Sequence, residues 1–146
     1  MMTMPMNICR LHEDAIVPAY ATPGASAFDF HSITSGIVSP YRPLVCDTGI
    51  AVEVPENMVL LVFSRSGHGF KIDVRLANCV GVIDSDYTGS IKIKLTSDHP
   101  KNTMRVEKGD RIGQGILMAA PRVSFNVVDE LGVTDRGSNG FGSTGQ

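Results

Sequence analysis

The chain of 146 residues has no tryptophan and only three cysteines, Cys9, Cys46 and Cys79. The count is odd and no Cys-x-x-Cys pair occurs, which argues against a disulfide framework and a structural zinc site. A marked excess of either charge is missing as well: 13 basic residues stand against 15 acidic ones, leaving −2. A broad polyanion-binding surface is therefore not written into the composition, so any site for a phosphorylated ligand is expected to be local. No apolar run approaches the roughly 20 residues of a membrane helix. The opening Met1-Met2-Thr3-Met4-Pro5-Met6 has neither a basic nor an apolar leader region, so no secretory signal is expected. The expectation is a reduced, cytoplasmic protein with no membrane or nucleic-acid partner. A P-loop is also absent, since Gly-x-x-x-x-Gly-Lys-Ser/Thr occurs nowhere.

Room for long helices is scarce too. The 15 glycines and 8 prolines are spread through the chain, and no repeated amphipathic helix separates the strands as a βαβ nucleotide fold requires. What is present is period-2 alternation. Ile91, Ile93 and Leu95 alternate with Ser90, Lys92 and Lys94, the mark of a half-buried strand. Ile50, Val52 and Val54 repeat the pattern. Met58–Phe63 is a continuous apolar run that suits a strand buried on both sides, and 112–117 and 123–128 complete the series. Pro55-Glu56-Asn57, Ser97-Asp98-His99-Pro100 and Lys108-Gly109-Asp110 supply turns. The pattern predicts one all-β domain, a sandwich, barrel or jelly roll, with one short helix over 73–78.

Four segments carry groups able to do chemistry. Ser64-Arg65-Ser66-Gly67-His68-Gly69 follows the 58–63 strand and offers backbone N–H groups, a hydroxyl and a guanidinium to an anion. In Gly81-Val82-Ile83-Asp84-Ser85-Asp86-Tyr87-Thr88-Gly89 the two acids suit a hairpin turn or a metal. Burial after Val82 and Ile83 would instead make Asp84 a general base. Asp29 lies between Phe28 and Phe30, either paired in an apolar setting or facing solvent from an alternating strand. In Gly109-Asp110-Arg111-Ile112-Gly113-Gln114, Asp110 and Arg111 read most simply as an ion pair, leaving Gln114 as the ligand group. The tail from Arg136, Arg-Gly-Ser-Asn-Gly-Phe-Gly-Ser-Thr-Gly-Gln, is too poor in apolar surface to order itself.

In order and spacing these segments resemble the five motifs of the homotrimeric dUTPase family. The likeness runs from Pro18-Ala19-Tyr20-Ala21-Thr22-Pro23-Gly24 to Gly145. Its most specific pieces are Gly-Val-Ile-Asp-Ser-Asp-Tyr at 81–87 and Gly-Phe-Gly-Ser-Thr-Gly at 140–145. The resemblance implies an all-β, jelly-roll-like barrel over 1–135, assembling as a three-fold trimer with active sites shared between chains. A flexible arm, 136–146, would close over a neighbour's site. The implied reaction converts dUTP to dUMP and pyrophosphate by in-line attack of an activated water on the α-phosphate with Mg²⁺. That activity keeps dUTP low and supplies dUMP for thymidylate synthesis.

By the same resemblance, Asp84 is the catalytic base and Asp29 holds Mg²⁺ through water. Arg65, Ser66, Gly67 and Gln114 bind phosphates. Asn78, Gly81, Val82 and Ile83 cradle uracil, Lys92 adding only its backbone, and Tyr87 packs on the deoxyribose. In the arm, Arg136, Ser143 and Thr144 reach the γ-phosphate, while Phe141, next to Gly142, covers uracil. Three departures stand out: Ala27 replaces a usual glycine, Asn139 replaces another, and Ile72-Asp73 replaces a more usual His-Gly. Asn139 is expected to tolerate left-handed geometry. The alternatives are a dCTP deaminase or bifunctional deaminase–pyrophosphatase of the same fold, and a non-enzymatic trimeric binding or regulatory module.

Overall fold

Lysines that alternate with Ile93 and Leu95 leave one face of their strand for the core, and the computed structural model has that arrangement. In β10 (Lys92–Ser97) Ile93, Leu95 and Ser97 are buried while Lys92 and Lys94 are exposed. The structure describes residues 3–141. Twelve strands and one helix follow in order. They are β1 (Asn7–Arg10), β2 (Ala19–Tyr20), β3 (Phe28–His31), β4 (Gly36–Val38), β5 (Leu44–Asp47), β6 (Ile50–Glu53) and β7 (Met58–Phe63). After the helix α1 (Ser66–Ile72) come β8 (Val74–Leu76), β9 (Val80–Ile83), β10, β11 (Met104–Val106) and β12 (Arg111–Ala119).

Among the described residues every strand pairing is antiparallel. The largest sheet has the order β2-β3-β12-β7-β9, a second is β5-β10-β8, and two ribbons pair β1 with β6 and β11 with β4. The inward side chains of these sheets, Phe30, Ile50, Leu60, Leu76, Ile91, Ile93, Leu95 and Ile112 among them, form one core. This is the all-β, jelly-roll-like architecture expected. Gly115 shows how tightly it closes: a Cβ there would stand 2.7 Å from Phe28 and 2.9 Å from Phe30. The bare strand lets both rings, 5.5 Å apart in an edge-on pair, pack against the sheet. Among the described residues no helix is long and apolar enough to cross a membrane.

Two expectations are corrected. The helix lies at Ser66–Ile72, not 73–78. Asp73 ends it in the left-handed conformation (φ 55°), its N–H reaching the Gly69 carbonyl, and Val74–Leu76 pair with β10 as a strand. An aspartate tolerates that backbone better than most residues, and its carboxylate also accepts a hydrogen bond from Asn102 Nδ2 at 3.1 Å. The Ile72-Asp73 departure thus has a local reason: Ile72 packs on the core and Asp73 makes the stop. Second, 123–128 is not a strand in this chain. Val123, Phe125 and Val127 keep the alternation but are exposed, and no neighbouring segment pairs with them among the described residues. Alternation supplies a face; a strand also needs a partner for its N–H and C=O groups.

Candidate active site

The central sheet brings several of the expected residues together. Gln114 on β12 lies directly across from Asp29 on β3 and from Phe63 on β7, so one row of the sheet joins three motifs. Ser64 and Arg65 follow Phe63 at once. Gln114 Nε2 donates to the Ser64 carbonyl at 2.9 Å, and Ser64 Oγ accepts the Leu76 N–H at 2.9 Å. The loop is thereby pinned on both sides before Ser66 and Gly67 open the helix. A Cβ at Gly67 would meet nothing within 4 Å, so the backbone there is open to a ligand.

Asp29 is the hub. Its side chain is only 14% exposed, and it faces Arg65 Nε at 3.6 Å and Arg111 Nη1 at 3.2 Å. Of the two local readings, the paired acid is therefore the one observed. The simple Asp110–Arg111 ion pair is overturned: Arg111 reaches Asp29, whereas the Asp110 carboxylate accepts the Glu107 N–H at 2.8 Å and shapes the turn. Sequence adjacency loses because Asp110 is taken up by the turn, while Arg111 opens β12 beside β3, the strand that carries Asp29. Ala27 is half-buried and has no positive φ, so the missing glycine leaves no strain.

Asp84 and Tyr87 lie elsewhere. β9 runs antiparallel to β7 with Ile83 opposite Leu60, so Asp84 emerges near Val59 while Arg65 lies beyond Phe63. At about 3.3 Å per residue, those two levels are roughly 20 Å apart along β7. Asp84 is exposed, so its own chain does not supply the burial considered above. It lines an open cavity of about 750 Å³ with Met58, Val82, Asp86 and Arg122.

The hairpin around it is anchored at its base. Ser90 Oγ donates to Asp47, Gly49 N–H donates to the same carboxylate at 2.8 Å, and Thr48 Oγ1 donates to the Ile91 carbonyl at 2.8 Å. Burial pushes the Asp47 carboxyl up, but the Ser90 hydroxyl, the Gly49 N–H, Lys92 and the Thr48 N–H together hold it below its ordinary value. At the tip, Tyr87 donates its N–H to the Asp84 carbonyl at 3.2 Å and its O–H to the Ser90 carbonyl at 2.9 Å. Its ring lies over Gly89, where any Cβ would meet the Tyr87 O–H at 2.7 Å.

Asn78 is exposed beside β9, its carbonyl accepting the Val80 N–H at 2.7 Å. Gly81 packs against Val62, Val82 is exposed, Ile83 turns to the core and Lys92 is exposed. Arg136 bonds the Asn139 carbonyl at 2.8 Å, and Phe141 is fully exposed. Among the described residues of the arm the positive φ values fall at Gly137 and Phe141, so Asn139 does not use the left-handed conformation foreseen for it. Gly142, Ser143 and Thr144 lie outside the described residues.

Sequence reasoning passed over His68 and His31, whose Nδ1 atoms are buried without a hydrogen-bond partner among the described residues. Burial lowers both imidazoles below their ordinary value, Arg65 adding to it at each. For His68 a signal was available in its place three residues after Arg65, the spacing of contacting neighbours on a helical turn.

A metal held by protein alone is not indicated, since no group of three His, Cys, Asp or Glu side chains clusters among the described residues. Asp29 is paired with Arg65 and Arg111, so a cation would meet it through water rather than directly. That suits Mg²⁺, which keeps several waters and takes its other ligands from phosphate oxygens.

The comparisons agree with one another. The dUTPase family model matches residues 13–145. The deoxyuridine 5'-triphosphate nucleotidohydrolase of Nautilia profundicola is 37% identical over 143 residues, covering 98% of this chain and all of that one. The protein of the same name from Helicobacter pylori strain J99 is 35% identical, covering 97% of each chain. Among solved structures, a Staphylococcus bacteriophage 80alpha dUTPase with dUPNHPP superposes with a TM-score of 0.90 at 26% identity. That likeness covers 99% of this chain and all of the phage chain. With a matching family model over nearly its whole length and relatives above a third identical end to end, this chain belongs to the dUTPase family.

Proposed function

We propose that the protein hydrolyses dUTP to dUMP and pyrophosphate in a homotrimer whose chains share each active site. The carrying observation is the separation of Asp84 from the Arg65–Asp29–Gln114 cluster by the length of β7. The phosphate-binding groups and the proposed base cannot meet on one substrate within one chain. A neighbouring copy that brings its hairpin to this chain's arginines removes the difficulty, and closed three-fold symmetry repeats the junction. The unpaired alternation at 123–128 supports the same reading, because it leaves an apolar face without a cover.

At such a junction Arg65, with Ser66, the Gly67 backbone and Gln114, receives the phosphates, and Gln114 also keeps the loop in register through the Ser64 carbonyl. Asp84 orients a water and takes its proton as the water attacks the α-phosphorus in line. Asp29 would hold Mg²⁺ through water. When bound, that ion neutralises triphosphate charge and fixes its geometry. The β9 hairpin reads uracil through main-chain groups at Asn78, Gly81, Val82 and Ile83 and at Lys92, while Tyr87 fills the space a 2′-hydroxyl would need. Polar groups left unpaired by the wrong base discriminate by about 10⁴-fold. A cytoplasmic setting, and the supply of dUMP for thymidylate synthesis, complete the proposal.

The deciding experiment is pyrophosphate release from dUTP, UTP, dTTP and dCTP, with and without Mg²⁺. Turnover of dUTP alone, dependent on the metal, is expected. Ammonia from dCTP would replace this reading with the deaminase. Truncation after Val133 is expected to lower kcat/KM by about 10²-fold or more, the scale of losing transition-state contacts to phosphate. The urea midpoint should barely move, because 134–141 buries almost nothing. Equal turnover in the truncated chain would make the arm idle.

A further inference from the structure

Arg65 is bound to the third residue after it through two kinds of hydrogen bond. Its carbonyl accepts the His68 N–H at 3.1 Å, and its Nη1 lies 3.3 Å from His68 Nε2. A guanidinium can only donate, so Nε2 has to be the bare, accepting nitrogen and the ring proton sits on Nδ1. We propose that His68 is a positioning residue for Arg65: its neutral Nε2 accepts a guanidinium N–H and holds that side chain toward the phosphates, and protonation of the ring releases it. The inference rests on the reading of Arg65 as a phosphate ligand.

The surroundings favour the neutral ring. His68 borders a cavity of about 560 Å³ lined also by Arg65, Lys71, Arg105, Asp110 and Arg111. Arg65 comes from the loop before α1, Lys71 from the helix, Arg105 from β11, Asp110 from the turn and Arg111 from β12. An imidazolium would join Arg65 and Arg111, which share the one carboxylate of Asp29, Arg105, which pairs with Glu107, and Lys71, with Asp110 as the acid bordering the cavity. It would also place an N–H on Nε2 against the Arg65 N–H, turning a hydrogen bond into a repulsion. Burial and then Arg65 lower the His68 pKa, with Asp110 opposing and Arg111 adding. The geometry gives Arg65 three restraints: Asp29 on Nε, His68 on Nη1, and the Arg111 carbonyl, which accepts from Nη1 at 3.4 Å.

The test uses the full chain and two variants, H68Q and H68A, assayed for pyrophosphate release from dUTP–Mg²⁺ between pH 8.5 and 5. The Gln side chain offers an amide oxygen near the Nε2 position and does not titrate; Ala offers nothing. Substrate phosphates titrate identically in all three, so KM is compared as a ratio to H68Q at each pH. The natural chain should match H68Q at pH 8 and show a KM about tenfold higher in acid, the worth of one charge-assisted hydrogen bond. H68A should carry a similar excess at every pH, and kcat should change little in either variant. A flat ratio overturns the proposal. So does a natural KM that falls in acid relative to H68Q, which would make the imidazolium itself a phosphate ligand. Long-range ¹H–¹⁵N spectra of the substrate-free chain give a readout without turnover. A single Nδ1–H tautomer at His68 is expected, and an Nε2–H tautomer refutes the bond to Arg65. Were dUTP not hydrolysed at all, the proposed activity would fall while the tautomer still decided the role of His68.

Discussion

Asp84→Asn should release pyrophosphate from dUTP about 10²–10⁴ times more slowly than the natural chain, the usual contribution of a general base. The substitution removes a proton acceptor and keeps the shape. The local turn uses the Asp84 backbone carbonyl, which accepts the Tyr87 N–H, so the hairpin keeps its form. Its base is held independently by Asp47, Thr48 and Ser90. Folding should therefore be untouched, with an unchanged urea midpoint as the control. Binding of a non-hydrolysable dUTP analogue with Mg²⁺, followed by calorimetry, should stay within a few-fold. Any change should be a tightening, since a carboxylate beside a triphosphate is repelled by it. Full turnover in the variant would remove the proposed base; loss of binding together with turnover would make Asp84 a ligand instead.

The second large effect is a recovery. Arg65→Ala and Asp84→Asn should each be nearly inert alone, yet dissociating and reassembling a one-to-one mixture should restore roughly a quarter of natural activity. The fraction follows from random assembly in a ring. A working site needs an intact Asp84 from one chain, with a chance of about one half, and an intact Arg65 from its neighbour, again about one half. Were both residues to serve the same site from a single chain, every chain in the mixture would carry one lesion and nothing would return. The distance along β7 makes that outcome the unexpected one. Size-exclusion chromatography with light scattering would establish in parallel that the mixed species is a trimer.

The strands were legible where one face meets the core. Met58–Phe63 and the Ile91–Ile93–Leu95 alternation are visible in residue types because burial selects them. The segment 123–128 carries the same signal, yet in one chain it makes no strand, since alternation says nothing about which partner is present. The helix is hard to read because Ser66–Ile72 contains two glycines and fully buries no side chain, Ile72 alone packing partly on the core. Its position follows from the left-handed stop at Asp73 and from β8 pairing with β10, both of which depend on contacts distant in sequence. At the site, Asp29, Arg65 and Gln114 were found singly through their motifs, but their meeting is a matter of register: Asp29 faces Gln114 across β3 and β12. The adjacency of Asp110 and Arg111 misleads for the same reason, since Arg111 reaches Asp29.

The pairing of Asp29 with two guanidinium groups bears on which anions this surface retains. Neither arginine waits as a bare charge; each already has a carboxylate to lean on. An arriving anion must therefore take over part of an existing partnership, as on an ion-exchange resin. Orthophosphate, small and weakly charged, has little to offer in that trade, whereas a chain of linked phosphates can engage both guanidinium groups at once. If this surface takes the triphosphate as proposed, preference for long phosphate chains over the abundant single ion follows from the resting arrangement itself.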